Sequence, residues 1–255
     1  MAKKIVITSG KGGVGKTTVA AKLAAALSKK GERVVLCDAD FGLNNADVTA
    51  GVENFSLYDI VDVIEGRCRA KQALVRHPEL VNLYVLSSSK VQPERYVSPQ
   101  SFRLVLDALS PTFDYLIIDS PAGIDEGFHR AVAAADEALV VVTPHLSAIR
   151  DADKAITLLK SYSLSGISLI VNRVRGDLLA AGRCLSPKEI EALLKIPLLG
   201  IIPEEDEIEA GDLSDLSKAY KFLSGALCGE KKKFFDPSKR YSGFFGGLKR
   251  FLKGV

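Results

Sequence analysis

A doubly wound α/β domain, a mostly parallel sheet with helices on both faces, is the fold class this sequence predicts. Three observations predict it. Apolar, β-branched runs alternate with segments of helical period along the first 228 residues, the pattern of successive βα units. Those runs are almost continuously apolar, as strands covered on both faces require. A glycine-rich run joins the first strand to the first helix, the connection in which such sheets hold phosphate groups. A chain of 255 residues is ordinary for one such unit, and 47% apolar residues are ample for its core.

The elements follow in order. Residues 4–8 form the first strand around Ile5-Val6-Ile7, and the helix that opens after the glycines runs through Val19 to Leu27. Residues 33–37 are the second strand, ending against Asp38-Ala39-Asp40. A helix over 57–65, a strand over 82–86 and a helix over 101–109 come next. The strand 115–119 is Tyr115-Leu116-Ile117-Ile118 closed by Asp119, followed by Ser120-Pro121-Ala122-Gly123 and a helix over 127–134. Strands over 138–143, 168–172 and 198–202 alternate with helices over 148–161 and 187–194. A last helix, 213–227, packs back on the body, and no internal repeat is present.

The run Gly10-Lys11-Gly12-Gly13-Val14-Gly15-Lys16-Thr17-Thr18 satisfies G-x-x-x-x-G-K-[ST] in a strand–loop–helix context. Glycines let backbone N–H groups turn inward around an anion, and the helix N-terminus adds its positive dipole end. Lys11 to Thr18 are therefore the candidate nucleotide contacts, with Lys16 at the β/γ-phosphates and the Thr17 hydroxyl on Mg²⁺. Gly10, Gly12 and Gly15 also spell G-x-G-x-x-G, and Asp38 stands where a dinucleotide site keeps its ribose-binding acid. A dinucleotide site has no use for Lys16-Thr17-Thr18, however, and the second strand-end acid, Asp119, is what a nucleoside triphosphatase needs. Asp38 and Asp119 are candidates for the magnesium side, and Asp40 for facing a water near the γ-phosphate. Lys11 is surplus to either pattern.

The net charge of +3 is unevenly spread. Residues 230–255 hold eight basic and two acidic side chains, +6, which leaves −3 on residues 1–229. A mildly acidic body argues against a general nucleic-acid binder. No apolar stretch approaches the ~18 residues of a membrane span. Met1-Ala2-Lys3-Lys4 runs straight into the first strand, so no signal peptide is expected. Cys37, Cys68, Cys184 and Cys228 lie far apart and fit no metal spacing, which favours reduced thiols.

The basic charge belongs to the tail. Residues 229–240 are charged, broken by Pro237 and without period, and are expected as a flexible linker after an ATPase domain over 1–228. On a helical wheel, Phe251, Phe244, Leu248, Tyr241, Leu252 and Phe245 span about −20° to 100°, while Lys249, Lys253 and Arg250 fall at about 140° to 240°. Residues 241–255 thus read as a cationic amphipathic helix of the kind that lies in a membrane interface, with Phe244, Phe245, Leu248, Lys249, Arg250, Phe251 and Leu252 as its contacts, a helix docked on the body's core being the alternative. Gly246-Gly247 in mid-helix weaken it in isolation, so it forms on meeting a surface.

These motifs resemble a known family. The loop from Lys11 to Thr18, Asp38-x-Asp40 with Gly42-Leu43-Asn44-Asn45, and Asp119-Ser120-Pro121-Ala122-Gly123 resemble the deviant Walker A ATPases of the ParA/MinD family. Residues 58–66, 135–138, 149–153 and 200–205 resemble its MinD branch, which places the bacterial division septum. The resemblance runs nearly end to end and implies an ATP-dependent homodimer using ATP and Mg²⁺. In it Lys11 reaches phosphate on the partner subunit's ATP, Thr18 touches the α-phosphate, and Asp40 orients the attacking water. Asn172, with backbone around Pro203 and Glu204, would hold the adenine. The implied partners are a MinC-like division inhibitor, a MinE-like or other topological regulator and anionic membrane lipids, with no specific nucleic acid. The implied location is the cytoplasm and the cytoplasmic face of the membrane. Asn44 departs from the arginine usual there, which leaves the activator open. A DNA-partition or flagellar-number ATPase of the same family is the alternative reading.

Overall fold

The computed structural model describes residues 1–41, 46–52, 57–88, 97–204 and 213–242. The expected membrane contacts Phe244 to Leu252 and the segment Gly42 to Asn45 lie outside them. Among the described residues, eight strands form one sheet in the order β3-β4-β2-β5-β1-β6-β7-β8. They are β1 (Lys3–Thr8), β2 (Val34–Asp38), β3 (Leu74–Arg76), β4 (Leu83–Leu86), β5 (Tyr115–Asp119), β6 (Glu137–Val142), β7 (Gly166–Val174) and β8 (Leu198–Pro203). Every neighbouring pair is parallel except β3–β4. The expected doubly wound fold is what is found. The antiparallel β3 was not expected: three half-exposed residues at an edge carry no hydrophobic pattern to reveal them.

The longer helices are α1 (Lys16–Lys29), α4 (Pro99–Leu109), α5 (Glu126–Ala133), α6 (Leu146–Leu159), α8 (Pro187–Leu194) and α9 (Leu213–Leu227). Shorter ones are α2 (Ala46–Thr49), α3 (Ile60–Ile64) and α7 (Gly176–Ala180). Helix α1 packs against α9, while α4 packs on α5 and α6 on α8. Right-handed crossovers put the second group on the opposite face of the sheet from α1. Local chemistry sets the helix starts. Helix α3 begins later than its apolar run suggests, because the Asp59 carboxylate accepts from the N–H groups of Val61 and Asp62 and closes a capping box. Leu57 is left 91% exposed. Ser186 with Glu189 caps α8 in the same way, and Pro187 stands at its first turn.

Strand β1 is central, and the chain leaves it toward β2 while its neighbour β6 leads away toward β7. That is a topological switch point, beyond whose carboxyl ends such sheets bind ligands. Strands β2 and β5 are buried along their whole length, and their register sets Asp38 directly beside Asp119.

The chain after α9 returns to this end. The Tyr115 hydroxyl, at the start of β5, donates to the Leu227 carbonyl at 3.1 Å, and Lys30 pairs with Glu230. Residues Pro237–Tyr241 then form a 3₁₀ turn capped by Asp236, with Pro237 and Tyr241 buried. The turn packs on α7, just past the carboxyl end of β7. Gly176 makes room for it: a Cβ there would stand 2.0 Å from the Pro237 carbonyl oxygen and 3.0 Å from the Tyr241 ring. The last part of the expected linker and the first residue of the expected tail helix are thus seated on the body. Gly176→Val should release the turn at a cost of about 1–3 kcal/mol. Trypsin should then cut after Lys239 and Arg240 faster than in the unaltered chain, as read on a gel time course.

Candidate nucleotide site

The loop between β1 and α1 is built by close approach. A Cβ at Gly10 would lie 1.9 Å from the Asp151 carbonyl oxygen, so the first glycine is demanded by the backbone of α6. Gly15 has φ +91°, and a Cβ on it would meet the Asn172 amide nitrogen at 2.6 Å. That amide donates to the Val14 carbonyl at 2.8 Å. The Ser9 hydroxyl donates to the Lys11 carbonyl at 2.7 Å. Lys11, Gly12 and Gly13 are exposed and Val14 is buried, so the tip faces solvent while its two ends are clamped.

Lys16 and Thr17 open α1. Lys16 is buried, which pushes its ammonium below the usual range against the pull of Asp119 and Asp40. Burial raises Asp38 to about 7 and Asp119 to about 6, from an ordinary 3.8. For Asp119, a hydrogen bond with the Thr17 side chain and the charge of Lys16 partly offset burial. Asp38 is engaged on both oxygens: one accepts from the Asp40 N–H at 2.8 Å and the other from the Ala46 N–H at 3.2 Å. It therefore also shapes the segment that follows β2, a role that a strand-end acid does not advertise in sequence. Asp119 Oδ1 is buried with no hydrogen-bond partner.

This arrangement fits a divalent cation carried by a nucleotide. Among the described residues no cluster of three or more His, Cys, Asp or Glu forms a cation cage. Two carboxylates and a hydroxyl are nonetheless the sparse donor set that Mg²⁺ accepts when phosphates and waters complete its shell. Thr17, Asp38 and the orphaned oxygen of Asp119 would hold it. When bound, the ion would neutralise charge on the β- and γ-phosphates.

At the far side, β7 carries a bulge: its register with β8 shifts between Val171 and Val174, and Arg173 sits at φ +56°. The irregularity re-aims Asn172 toward the loop. Its amide nitrogen is committed to Val14, which leaves the carbonyl oxygen as the acceptor an adenine amino group needs. Pro203 pairs with Val174, and the Glu204 N–H donates to the Val174 carbonyl at 3.2 Å. The residues singled out in the sequence therefore gather at one end of the sheet. Lys11 stands apart from the acids, with its ammonium 3.4 Å from the Ser147 hydroxyl at the start of α6. Ser147 and the Asp151 backbone went unread, because a helix residue that seats a distant loop carries no motif.

Two outcomes follow. Gly10→Ala and Gly15→Ala should each lose about 1–3 kcal/mol of stability in thermal melts and bind ATP more weakly. Gly12→Ala, whose Cβ would meet only Ala122 at 3.6 Å, should melt like the unaltered chain. Because the folded protein holds protons on Asp38 and Asp119 more tightly than the unfolded chain does, their contribution to stability is full below pH ~4. It is lost as pH rises through about 6 and about 7. Without nucleotide the melting midpoint should fall from pH 5 to pH 8. Asp119→Asn should shallow that fall, and Mg²⁺-ATP should remove most of it.

The CobQ/CobB/MinD/ParA nucleotide-binding domain model matches residues 5–217. The septum site-determining protein MinD of Thermotoga maritima is 45% identical over 98% of this chain and 100% of its own. A chain of the Aquifex aeolicus MinC:MinD cell division protein complex superposes with a TM-score of 0.81, at 40% identity over 90% of this chain and 97% of its own. The septum site-determining protein MinD of Pyrococcus horikoshii, solved with Mg-ADP, gives a TM-score of 0.76, at 29% identity over 89% of this chain and 96% of its own. With a phosphate loop clamped at both ends, and relatives that match it along their whole length, this chain belongs to the CobQ/CobB/MinD/ParA nucleotide-binding family and, within it, to the MinD septum site-determining ATPases.

Proposed function

We propose that the chain is an ATP-driven membrane switch: it dimerises on binding ATP and Mg²⁺, settles on the inner membrane face through residues 241–255, and recruits a MinC-like division inhibitor. The observation that carries this reading is the contrast between the two lysines of the loop. Lys16 is buried against Asp119 and Asp40 and belongs to its own subunit's nucleotide. Lys11 is exposed and rests on one long hydrogen bond to Ser147, so it is free to swing into a facing subunit at little cost. A charge that completes the site only in trans makes pairing depend on the γ-phosphate.

The tail supplies the reason to pair. Among the described residues no helix is long and apolar enough to cross a membrane. A single short amphipathic helix binds a bilayer weakly and reversibly. Two on one dimer make the second insertion intramolecular, which raises avidity by about 10²- to 10⁴-fold. Within each subunit, Thr17, Asp38 and Asp119 hold the magnesium side while Asp40 orients the water. Loss of the γ-phosphate releases Lys11, the dimer opens, and each monomer leaves the membrane. The Mg-ADP carried by the Pyrococcus horikoshii relative and the MinC partner of the Aquifex aeolicus relative support the ligand and the inhibitor in this reading. A MinE-like or other regulator would set the turnover.

Sedimentation with vesicles containing phosphatidylglycerol tests it. The full chain should pellet with Mg²⁺-ATP and stay in solution with Mg²⁺-ADP. Truncation after Ser242, which spares the docked turn, should abolish pelleting, and so should Lys11→Ala. Equal pelleting with the two nucleotides would overturn the switch.

A further inference from the structure

Arg130 lies in α5, is 3% exposed, and plays no part in the site as described so far. A guanidinium in that setting is costly unless its contacts compensate. Its Nε–H donates to the Val97 carbonyl at 2.7 Å, and its central carbon stands 5.0 Å over the centre of the Phe41 ring. Phe41 is itself buried and makes an edge-to-face pairing with Phe102 at 6.3 Å and 79°. The ring is thus gripped between a cation from α5 and an aromatic from α4, an arrangement worth more when desolvated.

Phe41 is the residue after Asp40. The Asp40 backbone is held on one side by its N–H on Asp38 and on the other by its carbonyl, which accepts from the Ser88 hydroxyl at 3.1 Å. The Phe41 ring, one residue on, adds a third anchor to the backbone that carries the Asp40 side chain. Helix α5 in turn continues the segment that leaves Asp119. One buried arginine therefore ties together the two segments that flank the γ-phosphate end of the site.

We propose that Arg130 is a positioning residue for ATP hydrolysis: acting through the Phe41 ring, it holds Asp40 where the attacking water must be oriented. This rests on the reading of Asp40 as the water-orienting group. Binding of ATP depends on the loop and Asn172, which lie on other segments than the ring, so the arginine governs turnover and leaves affinity alone.

The test measures kcat and the Kd of a fluorescent ATP analogue with Mg²⁺ on the full-length chain. Arg130→Met keeps the bulk and removes the charge; it should lower kcat by about ten- to a hundredfold while leaving Kd within about threefold. Arg130→Lys should recover a substantial part of kcat, since an ammonium still attracts the ring face. Phe41→Leu should mimic Arg130→Met, and the double variant should be no slower than Phe41→Leu alone, because both act through one contact. Turnover of Arg130→Met within about twofold of the unaltered chain, or kcat and affinity falling together, or full additivity in the double variant, would overturn the proposal. Should Arg130→Met fail to fold, Phe41→Leu decides by the same split between kcat and Kd. Asp40→Asn separates the two readings. If it hydrolyses ATP normally, the role of Asp40 falls and that of Arg130 with it; if it is inactive while Arg130→Met is normal, only Arg130 is misassigned.

Discussion

Two carboxylates sit side by side in the dry end of the sheet, and most of the site is arranged around that fact. The parallel register of β2 and β5 leaves no choice: Asp38 and Asp119 are opposite each other, and both are buried. Like charges so placed cannot both be ionised without cations or donors close by. The chain supplies some of these itself. Lys16 and Thr17 lean on Asp119, and two backbone N–H groups close on Asp38. What remains is a shortage of positive charge, which raises both acids and which a nucleotide-borne magnesium ion would relieve.

The phosphate loop meets the opposite requirement. Its ends must be rigid so that the acids, Lys16 and the phosphates share one geometry, and in the proposed dimer its tip would be free to meet another subunit. Close packing divides the loop in this way. Gly10 is pressed against α6, and Val14 and Gly15 against Asn172. Lys11 through Gly13 project from between these clamps. The bulge in β7, with Arg173 in a left-handed conformation, is the local distortion that brings Asn172 to the clamp.

The same end of the sheet holds the turn Pro237–Tyr241. Helix α7 follows the strand that carries Asn172, and the 3₁₀ turn ahead of the amphipathic segment is docked on it. In the proposed membrane reading, the segment after Ser242 would start from this docked turn at the carboxyl end of the sheet rather than from the end of α9, which lies by the start of β5. A dimer that closes at this end would present its two anchors from defined positions, which is the condition under which a pair of weak anchors gains most.

Much of this was legible in the residue pattern. Strand runs without polar interruption call for cover on both faces, the glycine run with Lys16-Thr17-Thr18 between strand and helix points to a phosphate, and the acids at residues 38 and 119 are placed to face it. Boundaries such as the start of α3 and the edge strand β3 were less so, because a capping carboxylate and a three-residue pairing leave almost no periodic trace. The sequence by itself determined the fold class and the nucleotide chemistry, since each is written in local spacing. Only the tertiary structure decided that Asn172 braces the loop, that Asp38 caps the segment after its own strand, that Tyr241 belongs to the body, and that Arg130 grips Phe41. The partners in these contacts are brought together by the packing of elements separate in sequence or by an irregular local turn, and neither leaves a period or a motif behind.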